Sequence, residues 1–473
     1  LKKFIFPQNQ KIFSSVWFLA FPVIISNLSR VIMSLVDVAM VGHLGPEALA
    51  ATGMGGMLAW GALSIVLGIR TSVQTITSRR LGQKKPKECI NALNNGFLLA
   101  SIYSIPISLL GWTYGYLIIP LFITDSITAP IAISYFSISS IGIFFNALSF
   151  VFQGFYTGIE KTKVHLSVTI TSNIINAYLN AGFIYGKDNI GYLLGNQTNS
   201  FFDFSNLWFW AGFDGMGVTG AAIGTLISSF WMMGHYFYYL NKQKIIIDNK
   251  GFLKIGLNRE MLKKQIKLSF PMGFQEMMIA VGYSFFYKIM SLIGILELAT
   301  TQLLFTIMHA SFMPAMGVGQ ACATLVGKYM GSNEIEKSEQ SIKESLRIAE
   351  YIMGTMGVVF IVFPKFILLF FTSDPEIIKM GVWGLRLIGF LQFVDAICFT
   401  LFLALTGAGN TLFPALVESL LIWGFMLPVS YYVGVVLVVG FKGPFIAFAI
   451  YLLFMAVILS LKMKKGDWKE IEV

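Results

Sequence analysis

Long apolar runs alternate along the chain with short polar connections. The runs near 14–43, 50–78, 92–118, 128–158, 163–185, 216–240, 262–294, 298–330, 344–372, 376–407, 411–438 and 441–462 can each cross about 30 Å of hydrocarbon as a helix. A lipid-exposed backbone must satisfy its own polar groups, and the period-2 alternation of a membrane barrel is absent, so the predicted spans are helices. The pattern therefore predicts an all-α integral membrane protein with twelve transmembrane helices. The first apolar run is far longer than a secretory h-region and no small-residue cleavage site follows it, so the first helix is expected to stay in the membrane.

The pattern also repeats. Phe270-Pro271, Gly294, Ala299 and Thr301 follow Phe21-Pro22, Gly45, Ala50 and Thr52 by 249 residues, and the same offset links Gly68 to Gly317, Gly82 to Gly331, Asp125 to Asp374 and Thr157-Gly158 to Thr406-Gly407. The offset lapses after the fifth span, where the first copy carries an insertion over 186–215 rich in aromatic residues. Gly217 and Gly220 then match Gly440 and Gly443 at an offset of 223. Six spans per copy is an even number, so both copies enter the membrane from the same side and form parallel repeats about an axis along the membrane normal. The expected units are residues 1–240 and 262–473, joined by a polar, basic linker over 241–261. Trp208 and Trp210 in the insertion are expected to rest at the headgroups.

Composition agrees: 56% of the 473 residues are hydrophobic, 12% are charged and the mean hydropathy is +0.71. The net charge of +10 would fit a nucleic-acid partner only if the cations shared a surface. Instead 26 of the 34 Lys and Arg fall in residues 1–14, 79–90, 160–163, 242–267, 328–347 and 462–473, which are alternate connections. That is the positive-inside pattern, which places both termini in the cytoplasm and needs no nucleic acid. Cys89, Cys322 and Cys398 show no CxxC spacing and the four histidines form no ligand pair, so neither disulfide nor zinc is expected. There is no Walker loop, GxSxG or HExxH, so no enzyme chemistry and no cofactor are expected.

Chemistry is then carried by the polar groups inside apolar runs. Asp37, Glu276, Asp395 and Glu418 are acids at such depth, and an intramembrane acid marks a functional site by default. The repeat offset places Glu276 opposite Asn27, Asp395 opposite Asn146 and Asp37 opposite Phe286, so the two copies charge different positions. Structural neutralisation is the competing reading, with Arg30 one heptad before Asp37 as the partner. Asn176 and Asn180 lie four apart and share a helix face. With Asp37 and Thr225 they would make an oxygen-rich cluster for a hard monovalent cation or a proton-linked network. Hydrogen bonding that only joins helices is the alternative. Pro22, Pro271 and Pro314 permit bends. Lys288, Arg386 and His309 also lie in apolar runs, as cleft or snorkelling groups.

The segments VDVAMVGHLGPEALAATGMG at 36–55, RRLGQKK at 79–85, GFYTGIEKTK at 154–163, NIINAYLNAGFIYG at 173–186 and GVTGAAIGT at 217–225 resemble the multidrug and toxic compound extrusion (MATE) family across essentially the whole chain. The resemblance implies two pseudo-symmetric six-helix bundles around a central cleft in the plasma membrane. It also implies export of amphipathic organic compounds, mainly cations, in exchange for inward Na+ or H+, by a protein expected to be a monomer. Asp37 matches the family's first-helix acid, with Asn176, Asn180 and Thr225 as companions in a cation site. Glu276 and Asp395 match the acids of the NorM-like branch and imply a second place for cation or substrate. Na+ would sit at Asp37, Asn176 and Asn180 or at Glu276 and Asp395. The DinF-like branch commonly has Asp where this chain has Asn180, and Arg30 and the insertion depart from the family. A lipid-linked oligosaccharide flippase of the same superfamily is the alternative, expected to show an Arg-rich cleft.

Overall fold

The computed structural model describes residues 6–123, 125–193, 207–242 and 258–472. Most of the proposed linker (243–257) and the middle of the insertion (194–206) lie outside them. The twelve long helices are α1 (Gln10–Gly42), α2 (Pro46–Gly82), α3 (Pro86–Ile118), α4 (Thr128–Gly158), α5 (Thr162–Leu193), α6 (Gly217–Lys242), α7 (Arg259–Ile293), α8 (Ile295–Gly331), α9 (Ile335–Val362), α10 (Pro375–Gly407), α11 (Leu412–Val436) and α12 (Lys442–Lys465). All except α5 are long and apolar enough to span a membrane by composition alone. Helix α5 falls short because Thr169, Thr171, Ser172, Asn173, Asn176 and Asn180 crowd its apolar run. The chain is a multi-pass membrane protein.

Two details differ from the pattern. The span expected at 344–372 breaks before Pro364, where the missing N–H and ring of proline start a separate short helix, Pro364–Phe371. Helix α11 is interrupted by π-turns at Ile422–Met426 and Tyr432–Val436. Such turns rotate the side chains that follow and often mark functional helices.

The duplication governs the packing. In the first lobe α2 packs on α4, α3 on α4, α4 on α6 and α1 on α5; in the second α8 packs on α10, α9 on α10, α10 on α12 and α7 on α11. Between lobes α1 packs on α8 while α7 packs on α2. The close approaches obey the same symmetry. A Cβ on Gly82 would lie 2.0 Å from the Lys328 carbonyl oxygen, and one on Gly331 would lie 2.2 Å from that of Arg79. Those carbonyls belong to positions themselves 249 apart, so each lobe uses one glycine to let the other lobe's backbone in.

The hydrogen bonds that join the lobes cluster at the end of the bundle carrying the termini. Lys328 Nζ meets Glu160 Oε2 at 2.7 Å. Gln74 Nε2 donates to the Gln320 carbonyl at 2.9 Å and to Thr324 Oγ1 at 3.0 Å, and Thr75 Oγ1 donates to the Thr406 carbonyl at 3.0 Å. Gln265 Nε2 reaches the Ala92 carbonyl at 2.6 Å. The lobes are thus latched at the terminal end.

Candidate functional site

Helix α1 runs from the latched end towards the opposite one, and its acid sits near the far tip. Asp37 is five residues from Gly42, about 8 Å along the axis at 1.5 Å per residue. Helix α5 is fastened beside it by Asn173 Nδ2 to Ser29 Oγ at 2.7 Å, Asn180 Nδ2 to Asp37 Oδ1 at 2.8 Å, and Tyr185 OH to the Met40 carbonyl at 2.5 Å. The four-residue spacing puts Asn176 directly beneath Asn180, and their amides face each other at 3.4 to 3.5 Å. Asn176 Nδ2 also reaches Thr225 Oγ1 on α6 at 3.4 Å. Asp37, Asn176, Asn180 and Thr225 therefore converge, with the carboxylate half-buried and Asn180 only 1% exposed.

This site has a backbone requirement on α6. A Cβ at Gly224 would stand 2.1 Å from Asn180 Oδ1, so Gly224→Ala must push the amide away from Asp37. A hydrogen bond to a charged group contributes about 1.5–3 kcal/mol, so we expect Gly224→Ala to lower stability by about that amount. Thermal unfolding of the purified protein in detergent should show that loss as a lower Tm. Gly234→Ala on the same helix, where a new Cβ meets nothing within 4 Å, should not change it. Equal stability of both variants would show that the placement of Asn180 is immaterial.

Arg30 does not neutralise Asp37. Its Nη2 donates to Gln153 Oε1 at 3.2 Å and its guanidinium lies 5.5 Å from the centre of the Phe150 ring. Seven residues separate the two on one helix, about 10 Å along the axis, beyond the reach of an ion pair. Among the described residues no ion pair involves Asp37. The indoles of the insertion are occupied by protein: Trp208 Nε1 donates to the Tyr178 carbonyl at 2.7 Å and Trp210 Nε1 to Tyr178 OH at 2.8 Å. Both Trp residues pack on α5 beside Gly182, two residues from Asn180.

The second lobe is built differently. The position matching Asp37 holds Phe286, 0% exposed and 5.4 Å from Phe305, within an apolar core. The acids lie closer to the latched end, one on the same helix as Phe286 and two on other helices. Glu276 is half-buried on α7 and Asp395 is buried on α10. Glu418 on α11 accepts from Gln275 Nε2 at 2.7 Å and from Tyr451 OH at 3.4 Å. Glu418 lies within electrostatic reach of both Glu276 and Asp395, so three carboxyl groups share this wall. Among the described residues no three acidic, His or Cys side chains form a metal cage. Glu418 is identifiable in sequence as an acid in an apolar run. Its grouping with Gln275 and Tyr451 depends on the relative rotation of three helices, which one chain's pattern does not encode. Arg70 on α2 gave one signal, a cation inside VLGIRTSV, which counting charges by connection passes over. Lys288, Arg386 and His309 are exposed and join neither site.

Comparison with known proteins places this geometry. The MatE family model matches residues 22–181 and 271–432, two stretches whose starts are 249 apart. Over 452 residues the chain is 25% identical to a probable multidrug resistance protein NorM of Thermotoga maritima, covering 96% of this chain and 92% of that protein. It is 23% identical over 454 residues to the multidrug resistance protein MdtK of Yersinia pseudotuberculosis, covering 94% of each. Among solved structures, a multidrug resistance MATE family transporter of the MOP superfamily in an outward-facing conformation superposes with a TM-score of 0.84 at 18% identity, over 97% of both chains. The eukaryotic MATE transporter AtDTX14 does so with a TM-score of 0.80 at 19% identity, again over 97% of both. These likenesses establish the fold.

Proposed function

The chain belongs to the MatE family, and on that premise we propose that it is a secondary antiporter exporting organic, mainly cationic amphipathic compounds in exchange for inward Na+ or H+. The observation that carries the reading is Asp37, an acid inside a membrane helix, held by Asn180 and free of any ion pair among the described residues. Relatives named as multidrug resistance proteins support the cargo class.

The mechanism is competition for negative charge. The units 1–240 and 262–473 rock about the central axis, with both termini in the cytoplasm of a cell whose plasma membrane holds the protein. In that orientation the latched end is cytoplasmic and Asp37 lies near the opposite, outer end. An external cation binding at Asp37, or at Glu276 and Asp395, lowers the hold of the carboxylates on a cationic cargo, which leaves to the outside. Return of the cation inward is favoured by about 2.3 kcal/mol per charge for each 100 mV of membrane potential.

The test is efflux of a fluorescent organic cation from proteoliposomes under an imposed Na+ gradient at equal pH, and separately under a pH gradient without Na+. Acceleration by one of the two gradients is expected and names the coupling ion. No acceleration by either, with dye bound to the protein, would sink the antiport reading.

A further inference from the structure

The lobes meet at the latched end through positions that obey the 249-residue offset, and at one of them the symmetry is broken. Lys328 of the second lobe reaches across the seam to Glu160 of the first, with Nζ 2.7 Å from Oε2. The residue that matches Lys328 is Arg79, and the residue that matches Glu160 is Gly409. The two turns are built alike, since Glu160 and Gly409 both hold a positive φ, 62° and 96°. Symmetry would pair Arg79 with residue 409, but glycine has no side chain to accept from it.

The chain that follows α12 fills this place. Gly466 turns it back with a φ of 80°, and Asp467–Glu470 form a single 3-10 turn. Three contacts fix the segment to the second lobe. Trp468 is 2% exposed within that lobe's core, and its Nε1 donates to the Met463 carbonyl at 3.1 Å. Lys462 Nζ meets Asp467 Oδ2 at 2.6 Å, and Lys469 pairs with Glu339 on α9. From there the segment reaches the first lobe, where Arg79 Nη2 donates to the Ile471 carbonyl and Glu472 lies within electrostatic reach of the guanidinium. Arg79 is 6% exposed and forms no ion pair among the described residues. A buried guanidinium left without an oxygen is costly, and a hydrogen bond from a charged donor is one of the strong ones.

We propose that residues 466–472 are a strap that replaces the missing half of a symmetric latch: they give Arg79 the oxygen that Glu160 gives Lys328, and the seam opens only once they release Arg79. This rests on the rocking of the two units described above. The second lobe carries the strap and the first lobe its anchor, so a rotation that separates Gly82 from Lys328 also draws Ile471 away from Arg79. The side chains of Lys328 and Glu160 are 33% and 26% exposed, where solvent weakens an ion pair, whereas Arg79 is buried. The strap is therefore the stronger of the two arms.

The test is the distance between spin labels at Lys87→Cys on α3 and Glu336→Cys on α9, an exposed pair 249 apart at the latched ends of the two lobes, in the purified full chain. Cys89, Cys322 and Cys398 are buried and stay unlabelled. Arg79→Gln and Trp468→Ala should each lower the ratio of short-distance to long-distance population about tenfold, the worth of one charge-assisted hydrogen bond. Together they should do no more than either alone, because both undo the same arm. Arg79→Gln with Lys328→Gln, which undo different arms, should multiply the single effects. Lys469→Ala unpins the strap from Glu339 at a part-exposed position; it should move the ratio the same way and carries the test if Trp468→Ala fails to fold. Wild-type distances in Trp468→Ala or Lys469→Ala would overturn the strap, as would multiplying effects of Arg79→Gln and Trp468→Ala. Efflux of a fluorescent organic cation from the same preparations keeps the two readings apart. An unmoved seam with gradient-driven efflux removes the strap and leaves the exporter; a seam that opens as expected, with no gradient-driven efflux even in the wild type, removes the exporter and leaves the strap.

Discussion

Asp37→Asn is expected to reach the membrane at the wild-type level and to export nothing above background. Asparagine is isosteric, so it keeps a side-chain partner for Asn180 and disturbs neither α1 nor α5. What it removes is the charge. Two unit charges 4 Å apart at an effective dielectric of about 20 attract by about 4 kcal/mol, close to a thousandfold in affinity for the coupling cation. The second lobe offers no substitute at that height, because Phe286 occupies the matching position in an apolar core. Surface labelling alongside dye efflux is the measurement, and wild-type efflux from a normally expressed variant would refute the role given to Asp37.

Gly82→Val and Gly331→Val should each cut transport at least tenfold while both lobes stay folded. A Cβ would fall 2.0 Å from the Lys328 oxygen in the first and 2.2 Å from the Arg79 oxygen in the second, distances at which backbone must separate. Overpacking of this kind costs about 1–3 kcal/mol. Because the strain exists only where the lobes meet, it acts against the latched state, and each 1.4 kcal/mol lowers that population about tenfold. Spin labels on α2 and α8 at the latched end should report a longer distance in both variants. Gly61→Val on α2, with nothing within 4 Å of the new Cβ, is the control. A shift in one variant without the other would contradict the symmetric origin of the seam.

Much of this architecture was legible in sequence, for physical reasons. Apolar runs of membrane length admit only helices, and the offset that links Gly82 to Gly331 in the chain recurs in the contacts those glycines make. The convergence of Asn176, Asn180 and Asp37 was legible in part, because a four-residue spacing fixes a shared face and an acid in an apolar run stands out. The pairing of Arg30 with Asp37 suggested by their heptad spacing failed on distance: the same face does not mean the same height. Glu418 and Arg70 were visible as charges and yet could not be placed. Their neighbours, Gln275 and Tyr451 for the one and Glu276 for the other, come from helices whose relative rotation is set by packing. The π-turns of α11 left no mark, since a one-residue widening of a helix changes no residue type.

The central claim is that coupling cation and organic cation compete for the same carboxylates. Its most direct test is the equilibrium affinity of the purified protein for a fluorescent organic cation, measured across Na+ concentrations at fixed pH and across pH without Na+, for the wild type and Asp37→Asn. Competition predicts that the wild-type Kd rises with the coupling ion, by the same factor with which the dye weakens binding of that ion, and that the dependence flattens in Asp37→Asn. A wild-type Kd indifferent to both Na+ and H+ would contradict the account.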